Sequence, residues 1–580
     1  MTRMKLSQKW DLDCFLKGRS PQQVLETLRL QLEELDKGIR AKVDIKKAIF
    51  TLQDLSQHYH ELSRFITCLN AQDVTDSKAH FLQDQVTGLG AQFVNTAVLL
   101  DEWLTALDDQ TFHSLLQDDE ILPIAFGVSE KRRLAKEKLP AKEEAFINDF
   151  AVDGFHGWPQ MWDAVIGNMT FSLDEKKLSF SQIENEMADP CRKTRQAAFE
   201  SIDGAFREKM PLFAQILNHL AGFRLAIYKK RGWNQVLKEP LENNRMQTES
   251  LQAMWNAIER HREKLKAYMK CKADLLGLSQ LDWCDLEAPL GEVKQKISFE
   301  DAAAFIIKHF NRFSPKMGAF AKDVLQSKWM DAEDRKNKYP GGFCVNFPVS
   351  QESRIFMTYA ETMTNLFTLA HELGHAYHNF VTRFLPGIAQ DIRMNVAETA
   401  STMAEITVTR AAIQEAKSKQ DQLFILDDHL SRSVAYLMNI YARFLFETRF
   451  YEARKKGFVA PEKLNTLMEE AQKEAYGNAL GAYHPLFWAA KMHFQLSETA
   501  FYNFPYTFGY LFSLGIYELG SKQEDFESSY IALLEDTGQM RVETLAQKHF
   551  KVDLTKPDFW EMGLHVIDSD IDTFLELTKK

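Results

Sequence analysis

The sequence predicts a mostly α-helical protein with only a few short β-strands. Apolar residues recur at helical spacing over long stretches, and the clearest of these are residues 44–69, 76–107, 190–230 and 247–276. Helix signals flank an earlier segment, with Ser20-Pro21 as an N-cap followed by proline and Lys37-Gly38 as a stop. The chain has 580 residues, of which 45% are hydrophobic, so it can bury a large core.

The order of these elements predicts an N-terminal helical region followed by a longer second domain. Residues 1–117 are expected to be helical, and the charged stretch 129–144 is expected to be a solvated face or a linker. We divide the chain at residue 190, into an N-terminal helical region over 1–190 and a second domain over 191–580.

Two pairs of short β-like runs interrupt the helical pattern. Residues 169–173 and 178–181 predict a small hairpin across a charged turn. Residues 340–347 and 354–359 predict two more strands, just before the motif described below. This second pair allows two interpretations, a structural hairpin or an edge to which an extended peptide can add as a further strand.

Composition excludes several classes of partner. The net charge of −11 argues against nucleic acid or an anionic membrane surface. The six cysteines are scattered without a Cys-x-x-Cys pair, and residues 1–15 have no apolar signal core, which predicts a cytoplasmic protein. The uncharged stretch 499–517 is diluted by Asn503, Pro505 and Gly509, so it does not predict a membrane span. The oligomeric state is left open.

The most informative stretch is His371-Glu372-Leu373-Gly374-His375, a His-Glu-x-x-His motif inside a helical pattern. His371 and His375 are four residues apart, so they share a helix face and can offer two imidazoles to one zinc ion. Glu372 can then take a proton from a water that the metal activates. The alternative is a solvated helix face that happens to hold two histidines, but the neighbouring residues are apolar.

Gly374 adds a structural clue. A glycine inside a helix costs about 1 kcal/mol relative to alanine. Its presence next to His375 predicts that another part of the chain packs against the helix backbone there.

A catalytic zinc ion takes three protein ligands and keeps an open position. The metzincin pattern fails, because it needs Gly and His where this chain has His378 and Val381. A second helical pattern over 394–405 carries Glu398 and Glu405, seven residues apart on one face among small and apolar neighbours. A carboxylate on a buried helix needs a partner, and we take Glu398 as the third ligand.

Two further residues near the motif are predicted to support it. Glu405 is expected to hold a ligand imidazole by its other N–H, the alternative being an ordinary ion pair. His378 is expected to lie behind the ligands or to face the substrate, since its use as a third ligand would leave Glu398 without a role.

An aromatic stretch near the C-terminus, residues 501–513, also allows two interpretations. It reads either as an aromatic core helix or as a segment whose tyrosine hydroxyls line a cleft. A phenol or an imidazole can stabilise the oxyanion that peptide hydrolysis builds.

The motif, followed by the glutamate in Asn395-Val396-Ala397-Glu398-Thr399, resembles the thimet oligopeptidase/oligoendopeptidase F family of zinc peptidases, peptidase family M3. The closer likeness is to the oligoendopeptidase F branch. It covers about residues 190–580, and the N-terminal third shares only a general helical character. The resemblance implies one zinc ion per chain on a thermolysin-like helix pair. It also implies two helical lobes enclosing a deep substrate channel, with a small β-sheet beside the zinc helices.

The resemblance extends to the C-terminal aromatic stretch. It puts His493, Tyr502, Tyr506 and Tyr510 in the family's substrate and transition-state roles, with Tyr506 and Tyr510 preferred as oxyanion donors and Tyr502 as a substrate contact. It also makes residues 191–580 the zinc peptidase domain.

The predicted function is that of a zinc metalloendopeptidase that hydrolyses internal bonds of short, unstructured peptides. Two alternatives remain at this point. One is a zinc exopeptidase, either an aminopeptidase or a carboxypeptidase, and the other is an inactive helical protein that binds peptides.

Overall fold

The computed structural model describes residues 6–291, 296–520 and 525–579, with the backbone alone at residue 141. The first helices are α1 (Pro21–Arg40), α2 (Ile45–Gln72), α3 (Ser77–Ala106), α4 (Asp109–Leu116), α5 (Ala125–Ala135), α6 (Ala141–Gly154), α7 (Gly157–Asn168), α8 (Phe180–Asn185), α9 (Arg192–Lys230), α10 (Lys238–Asn243) and α11 (Thr248–Leu275). The later helices are α12 (Phe299–Phe313), α13 (Pro315–Gln326), α14 (Met363–Thr382), α15 (Met394–Gln414), α16 (Lys419–Val434), α17 (Ile440–Arg454), α18 (Pro461–Ala475), α19 (Phe487–Ala490), α20 (Phe504–Gly520), α21 (Phe526–Asp536), α22 (Val542–Phe550) and α23 (Pro557–Thr578). The strands are β1 (Phe171–Leu173), β2 (Lys176–Leu178), β3 (Met330–Asp331), β4 (Phe343–Phe347) and β5 (Glu352–Phe356). The prediction of a mostly helical protein is confirmed.

The first helix shows how local signals set helix boundaries. Ser20 and Gln23 form the predicted capping box at the start of α1, and Pro21 follows as the first helical residue. The helix runs past the predicted stop at Gly38, because Ile39 still lies on its buried face and is 2% exposed.

The β-structure consists of one hairpin and one three-stranded sheet. Strands β1 and β2 pair antiparallel, as the predicted hairpin requires. In the larger sheet the strand order is β3-β5-β4, with β4 antiparallel and β3 parallel to β5. The central position of β5 corrects one expectation, since both of its edges are occupied and, of the two predicted strands, only β4 lies at an edge of the sheet. The reason is the two-residue strand β3, which is too short for a period-two pattern to mark it.

The described chain forms two compact units, each assembled from three segments. The first unit comprises Met1–Ala141, Gln295–Ala411 and Gln523–His549. Its main core joins apolar residues of the first helices to the sheet, with Phe347 and Phe356 among them, and Phe15 stacks on Phe347 with ring centroids 3.8 Å apart. The motif on α14 and the glutamates on α15 belong to this unit.

The second unit comprises Lys142–Lys294, Ala412–Lys522 and Phe550–Lys580. Its C-terminal helix α23 packs on α11, α16 and α20. The aromatic stretch that the sequence singled out forms α20 and the turn before it. The boundary predicted at residue 190 stays a prediction about the extent of the peptidase domain. Among the described residues, none of the helices has the length and apolar character to cross a bilayer.

Candidate active site

The two helices that carry the motif and the glutamates touch through Gly374. A Cβ atom added at Gly374 would lie 2.5 Å from the carbonyl oxygen of Ala400 and 2.6 Å from the Cα of Ser401. These distances are shorter than a van der Waals contact, so only glycine lets the backbones of α14 and α15 approach this closely. The sequence prediction that something packs against Gly374 is confirmed, and the close approach brings Glu398 to the histidines.

Three side chains converge beside this crossing. The Nε2 atom of His371 lies 3.3 Å from Oε2 of Glu398, and the Nε2 atom of His375 lies 3.4 Å from the same oxygen. The two imidazole rings stand nearly perpendicular, with an interplanar angle of 81°. Burial opposes ionisation of Glu398, but its contacts with both histidines outweigh that effect and hold the pKa of the carboxyl below its ordinary value. The arrangement offers two imidazole nitrogens and one carboxylate oxygen to a common centre.

These three groups fit a zinc ion. In a tetrahedral site with bonds of roughly 2.0–2.1 Å, neighbouring ligand atoms are separated by about 3.3 Å. The contacts of the two Nε2 atoms with Glu398 Oε2, at 3.3 and 3.4 Å, match that separation. Two histidines and one glutamate are also a ligand set that catalytic zinc uses.

Two neighbours hold these groups in place. Oε2 of Glu405 lies 3.1 Å from Nδ1 of His371, on the side of the ring away from Glu398. Ser401, which the sequence analysis did not single out, donates its hydroxyl to Oε2 of Glu398 at 2.8 Å. A contact to the second nitrogen of an imidazole fixes the ring's orientation and tautomer. Ser401 follows Glu398 by one helical turn, and that spacing is the signal that would have found it.

Glu372 carries a buried carboxylate with an unused oxygen. The residue is 6% exposed, and its Oε2 has no hydrogen-bond partner among the residues that the structure describes. Burial raises the pKa of this carboxyl, against the opposite effect of His371 and His375. Gly342, at the start of β4, lies close by, since a Cβ atom there would be 3.6 Å from Glu372 Oε1. An unpaired buried oxygen is costly unless a water or substrate meets it.

His378 lies behind the cluster. It is 2% exposed, and its Nε2 lies 2.8 Å from the hydroxyl of Thr537 on the loop after α21. Burial lowers its pKa to about 4, with a further contribution from His375. A neutral imidazole that binds Thr537 supports the position of α14 within the first unit.

Replacing Gly374 by alanine is expected to damage both folding and metal binding. The added methyl group would press against the backbone of α15, and overpacking of this kind costs about 1–3 kcal/mol. The forced separation also moves Glu398 away from the histidines, so zinc affinity should fall. Thermal unfolding and a zinc titration would measure the two effects.

The matched control is Gly38→Ala in α1, where an added Cβ meets nothing within 4 Å. That variant should be as stable as the parent or slightly more stable, because alanine favours a helix. Equal stability and zinc affinity of Gly374→Ala and its parent would contradict the close-packing argument.

The aromatic residues of the predicted site lie together in the second unit. The ring of His493 stacks on Tyr502 with centroids 5.0 Å apart, and the hydroxyls of Tyr502 and Tyr506 are 3.2 Å apart. All three side chains are partly exposed. Burial, together with the charges of Arg443 and Lys491, lowers the pKa of His493 to about 3, so this imidazole is neutral.

Tyr510 has different surroundings. It is 5% exposed, its ring stacks on Tyr436 at 4.7 Å, and its hydroxyl lies 2.7 Å from Ser433 Oγ. Because Tyr510 is buried, it is less suited to meeting a substrate than Tyr506, whose side chain is partly exposed.

Arg443 is a residue of this group that the sequence analysis missed. Its guanidinium donates to Nδ1 of His493 at 3.3 Å and to Oδ1 of Asn503 at 2.8 Å. The sequence marks Arg443 as the single charge in the otherwise uncharged run 433–446, which extends from the end of α16 into α17.

A His-Glu-x-x-His helix that faces a glutamate of the next helix is an arrangement that metallopeptidases use. The chain belongs to peptidase family M3, whose sequence pattern matches residues 186–566. A second pattern, described as oligopeptidase F, matches residues 103–171. The family resemblance is therefore confirmed, and it reaches into the N-terminal third, where the sequence analysis found only helical character.

Individual relatives agree with the family. An oligoendopeptidase F homologue of Lactococcus lactis is 22% identical over 100% of this chain and 99% of its own. Oligopeptidase PepF of Bacillus subtilis is 23% identical over 88% of this chain and 77% of its own. In three dimensions, oligoendopeptidase-F from Enterococcus faecium has a TM-score of 0.71 at 18% identity, covering 96% of this chain and 99% of its own. PZ peptidase A with inhibitor 2 has a TM-score of 0.76 at 15% identity, covering 97% and 99%. At such identities the structures show that the fold is shared.

Proposed function

We propose that this protein is a zinc metalloendopeptidase that hydrolyses internal bonds of short, unstructured peptides. The observation that carries the proposal is the convergence of His371 and His375 on one oxygen of Glu398, beside the carboxylate of Glu372. Family membership supports peptide hydrolysis, and the names of the relatives support oligopeptides as the substrate class. Six free thiols support the proposed cytoplasmic location.

His371, His375 and Glu398 would hold the zinc ion, with Glu405 fixing the ring of His371. When bound, zinc supplies Lewis-acid activation of water and of the scissile carbonyl. Glu372 accepts the proton of the attacking water on its unpaired Oε2 and then delivers it to the leaving amine. Its raised pKa suits both transfers, because a carboxyl with a pKa closer to neutrality holds and releases a proton more readily.

The free edge of β4 is the proposed binding place for the substrate backbone. Among the described strands β4 pairs with β5 alone, and its first residues follow Gly342, which lies near Glu372. Arg64 donates to the main-chain oxygen of Asn346 at the far end of β4, so the peptide would add near residues 343–345. A peptide that adds there as a strand would be held by main-chain hydrogen bonds, which give a loose preference for side chains.

Tyr506 is proposed as the donor that stabilises the oxyanion, a role carried over from the family resemblance. Its partly exposed side chain supports this choice over Tyr510, which is buried and whose hydroxyl lies against Ser433. Tyr502 and His493 are proposed as substrate contacts beside it. Residues 191–580 are proposed as the peptidase domain.

Tyr506→Phe is expected to lower turnover by about 10²- to 10³-fold, the usual cost of losing one oxyanion donor. Zinc content and folding should change little, because only a hydroxyl is removed. Tyr510→Phe is the matched control, since it should lower stability by about 1 kcal/mol through loss of the Ser433 hydrogen bond and leave turnover nearly intact. Full activity of Tyr506→Phe would favour the interpretation of this stretch as an ordinary aromatic core.

The substrate class is tested with a short peptide blocked at both ends and with denatured casein, each followed by mass spectrometry. Cleavage of the blocked peptide at an internal bond is expected, and it would exclude an exopeptidase, which must capture a free terminus. Casein should be cut far more slowly, because the channel implied by the family excludes long chains. Digestion of casein at the rate of the short peptide would contradict the proposed size limit.

A chelator should abolish cleavage, and continued cleavage without metal would contradict the zinc mechanism.

A further inference from the structure

The second unit contains a pocket whose interior carries two positive charges. Arg443 of α17 and Lys491, which follows α19, both line it and are half-buried. The interior of the pocket has a volume of about 160 Å³. None of the proposed zinc ligands contributes to its lining.

Arg443 is fixed by neutral partners. Its Nε donates to Oδ1 of Asn439 at 2.7 Å, and its Nη1 donates to Asn503 and His493. The guanidinium also lies 5.2 Å from the ring centre of Phe487. No described residue accepts a hydrogen bond from Nη2, and no described carboxylate forms an ion pair with this arginine. Neutral groups therefore hold the guanidinium in place, and the carboxylate that acts on its charge is Glu287, at the rim of the pocket.

Lys491 is in a similar position. Its ammonium group has neither a hydrogen-bond acceptor nor an ion-pair partner in the described part of the chain. Burial lowers the pKa of Lys491, and the neighbouring charge of Arg443 lowers it further. Glu184 and Glu287 line the same pocket, but both are exposed at its rim. From there both carboxylates raise the pKa of Lys491, against the effects of burial and of Arg443, and Glu287 does the same for Arg443. Neither carboxylate forms an ion pair with the two cations among the described residues, so an anionic ligand that reaches both would lower the cost of holding two like charges close together.

The local backbone also sets this pocket apart. Ala435–Asn439 forms a π-helical turn between α16 and α17, and Ala435 and Asn439 both line the pocket. Turns of this kind are uncommon and occur frequently at functional sites. Here the turn places Asn439 where it holds the guanidinium of Arg443.

The remaining walls are aromatic, with contributions from Phe180, Phe199, Trp283 and Phe487. A ligand that suits this lining joins a carboxylate to an apolar body. The carboxylates of the rim, Glu184 and Glu287, favour a free ammonium group at the ligand's outer end. A short peptide or a free amino acid has all three features.

We infer that this pocket binds the C-terminal carboxylate of a short peptide or amino acid, with Arg443 and Lys491 as its anchors. The carboxylate enters first, apolar side chains contact the aromatic walls, and the free amine remains at the acidic rim. The binding of a carboxylate is a property of the pocket alone. That the bound peptide or amino acid is a product of peptide cleavage by this protein rests on the proposed function.

The experiment is a calorimetric titration of the zinc-loaded Glu372→Gln protein, which should not consume the ligand, with the dipeptide Leu-Phe. Its C-terminal amide, its N-acetyl form and free phenylalanine are titrated in parallel. The free acid is expected to bind roughly ten- to a hundredfold more tightly than the amide, as charged hydrogen bonds contribute that much. Comparison of phenylalanine with Leu-Phe identifies which source of carboxylate binds better.

Lys491→Met should abolish the preference for the free acid over the amide, and Lys491→Arg should restore most of it. Lys270→Met is the matched control, because this exposed lysine of α11 lies in the same unit but outside the pocket. Equal binding of acid and amide, or an unchanged preference in Lys491→Met, would overturn the inference. Cleavage of longer peptides by Glu372→Gln would contradict the proposed mechanism but would leave the inference about the pocket untouched. Mass spectrometry of the titrated Leu-Phe shows whether the dipeptide stayed intact, which is all that the titration requires.

Discussion

Glu372→Gln is expected to lose nearly all peptidase activity while it keeps its zinc ion. The substitution preserves the shape of the side chain and leaves His371, His375 and Glu398 untouched. It removes only the group that accepts and returns a proton, and such general acid–base steps contribute about 10²- to 10⁴-fold, or more in concert with a metal. Turnover of a blocked peptide and zinc content per chain, measured on the same preparation, would separate the two properties.

The surroundings of Glu372 indicate that the substitution should not disturb folding. Its carboxylate is buried and its Oε2 has no partner among the described residues, so an amide there breaks no hydrogen bond of the folded protein. Burial also raises the pKa of the carboxyl, and a neutral amide should therefore fold at least as well. Glu33→Gln on the exposed face of α1 is the control for a loss of charge alone. Wild-type turnover by a zinc-loaded Glu372→Gln protein would end the proposed mechanism.

The features that the sequence predicts correctly depend on short-range spacing. Ser20 and Gln23 form a cap because they are three residues apart, and His371 and His375 share a face because they are four apart. The close packing at Gly374 was also predictable, since an unneeded glycine in a helix is a cost that requires a reason. In the first two cases the physical cause lies within about one helical turn, whereas Gly374 indicates a close contact without identifying α15 as the partner.

The features that the sequence does not predict depend on contacts between distant segments. Strand β3 is two residues long, so no pattern marks it, yet it pairs with β5 and determines which strand keeps a free edge. The tyrosines 502, 506 and 510 are similar in sequence context. Their environments differ because Ser433 and Tyr436, on and just after α16, cover only Tyr510.

The pocket around Arg443 is a further case of this kind. Its residues come from segments as far apart as Phe180 and Lys491, and no local motif connects them. The surroundings of Arg443 are visible only in the folded protein, where its hydrogen bonds go to Asn439, His493 and Asn503. The sequence marks it as a charge among apolar residues, which is consistent with either an ordinary ion pair or a binding site.

Glu398→Ala is expected to empty the zinc site, and Glu405→Ala is expected to weaken it. Glu398 supplies the oxygen on which His371 and His375 converge, so its loss removes both a ligand and the negative charge that balances the ion. Glu405 contacts the outer nitrogen of His371, at 3.1 Å, and changes at such positions typically cost 10- to 100-fold in metal affinity. Dialysis against a chelator of known zinc affinity, followed by metal analysis, would rank the two variants.

Ser401→Ala extends the comparison to the groups that orient Glu398. It deletes the 2.8 Å hydrogen bond to Oε2 but leaves the charge, so its zinc affinity should lie between that of the parent and that of Glu398→Ala. Peptidase activity restored by excess zinc in Glu405→Ala and Ser401→Ala, but not in Glu398→Ala, would distinguish a weakened site from an incomplete one. If instead Glu405→Ala loses its zinc and Glu398→Ala retains it, the two carboxylates have been assigned in the wrong order. The contacts of His371 argue against that reversal, because its Nε2 shares Glu398 with His375 whereas its Nδ1 reaches Glu405 alone.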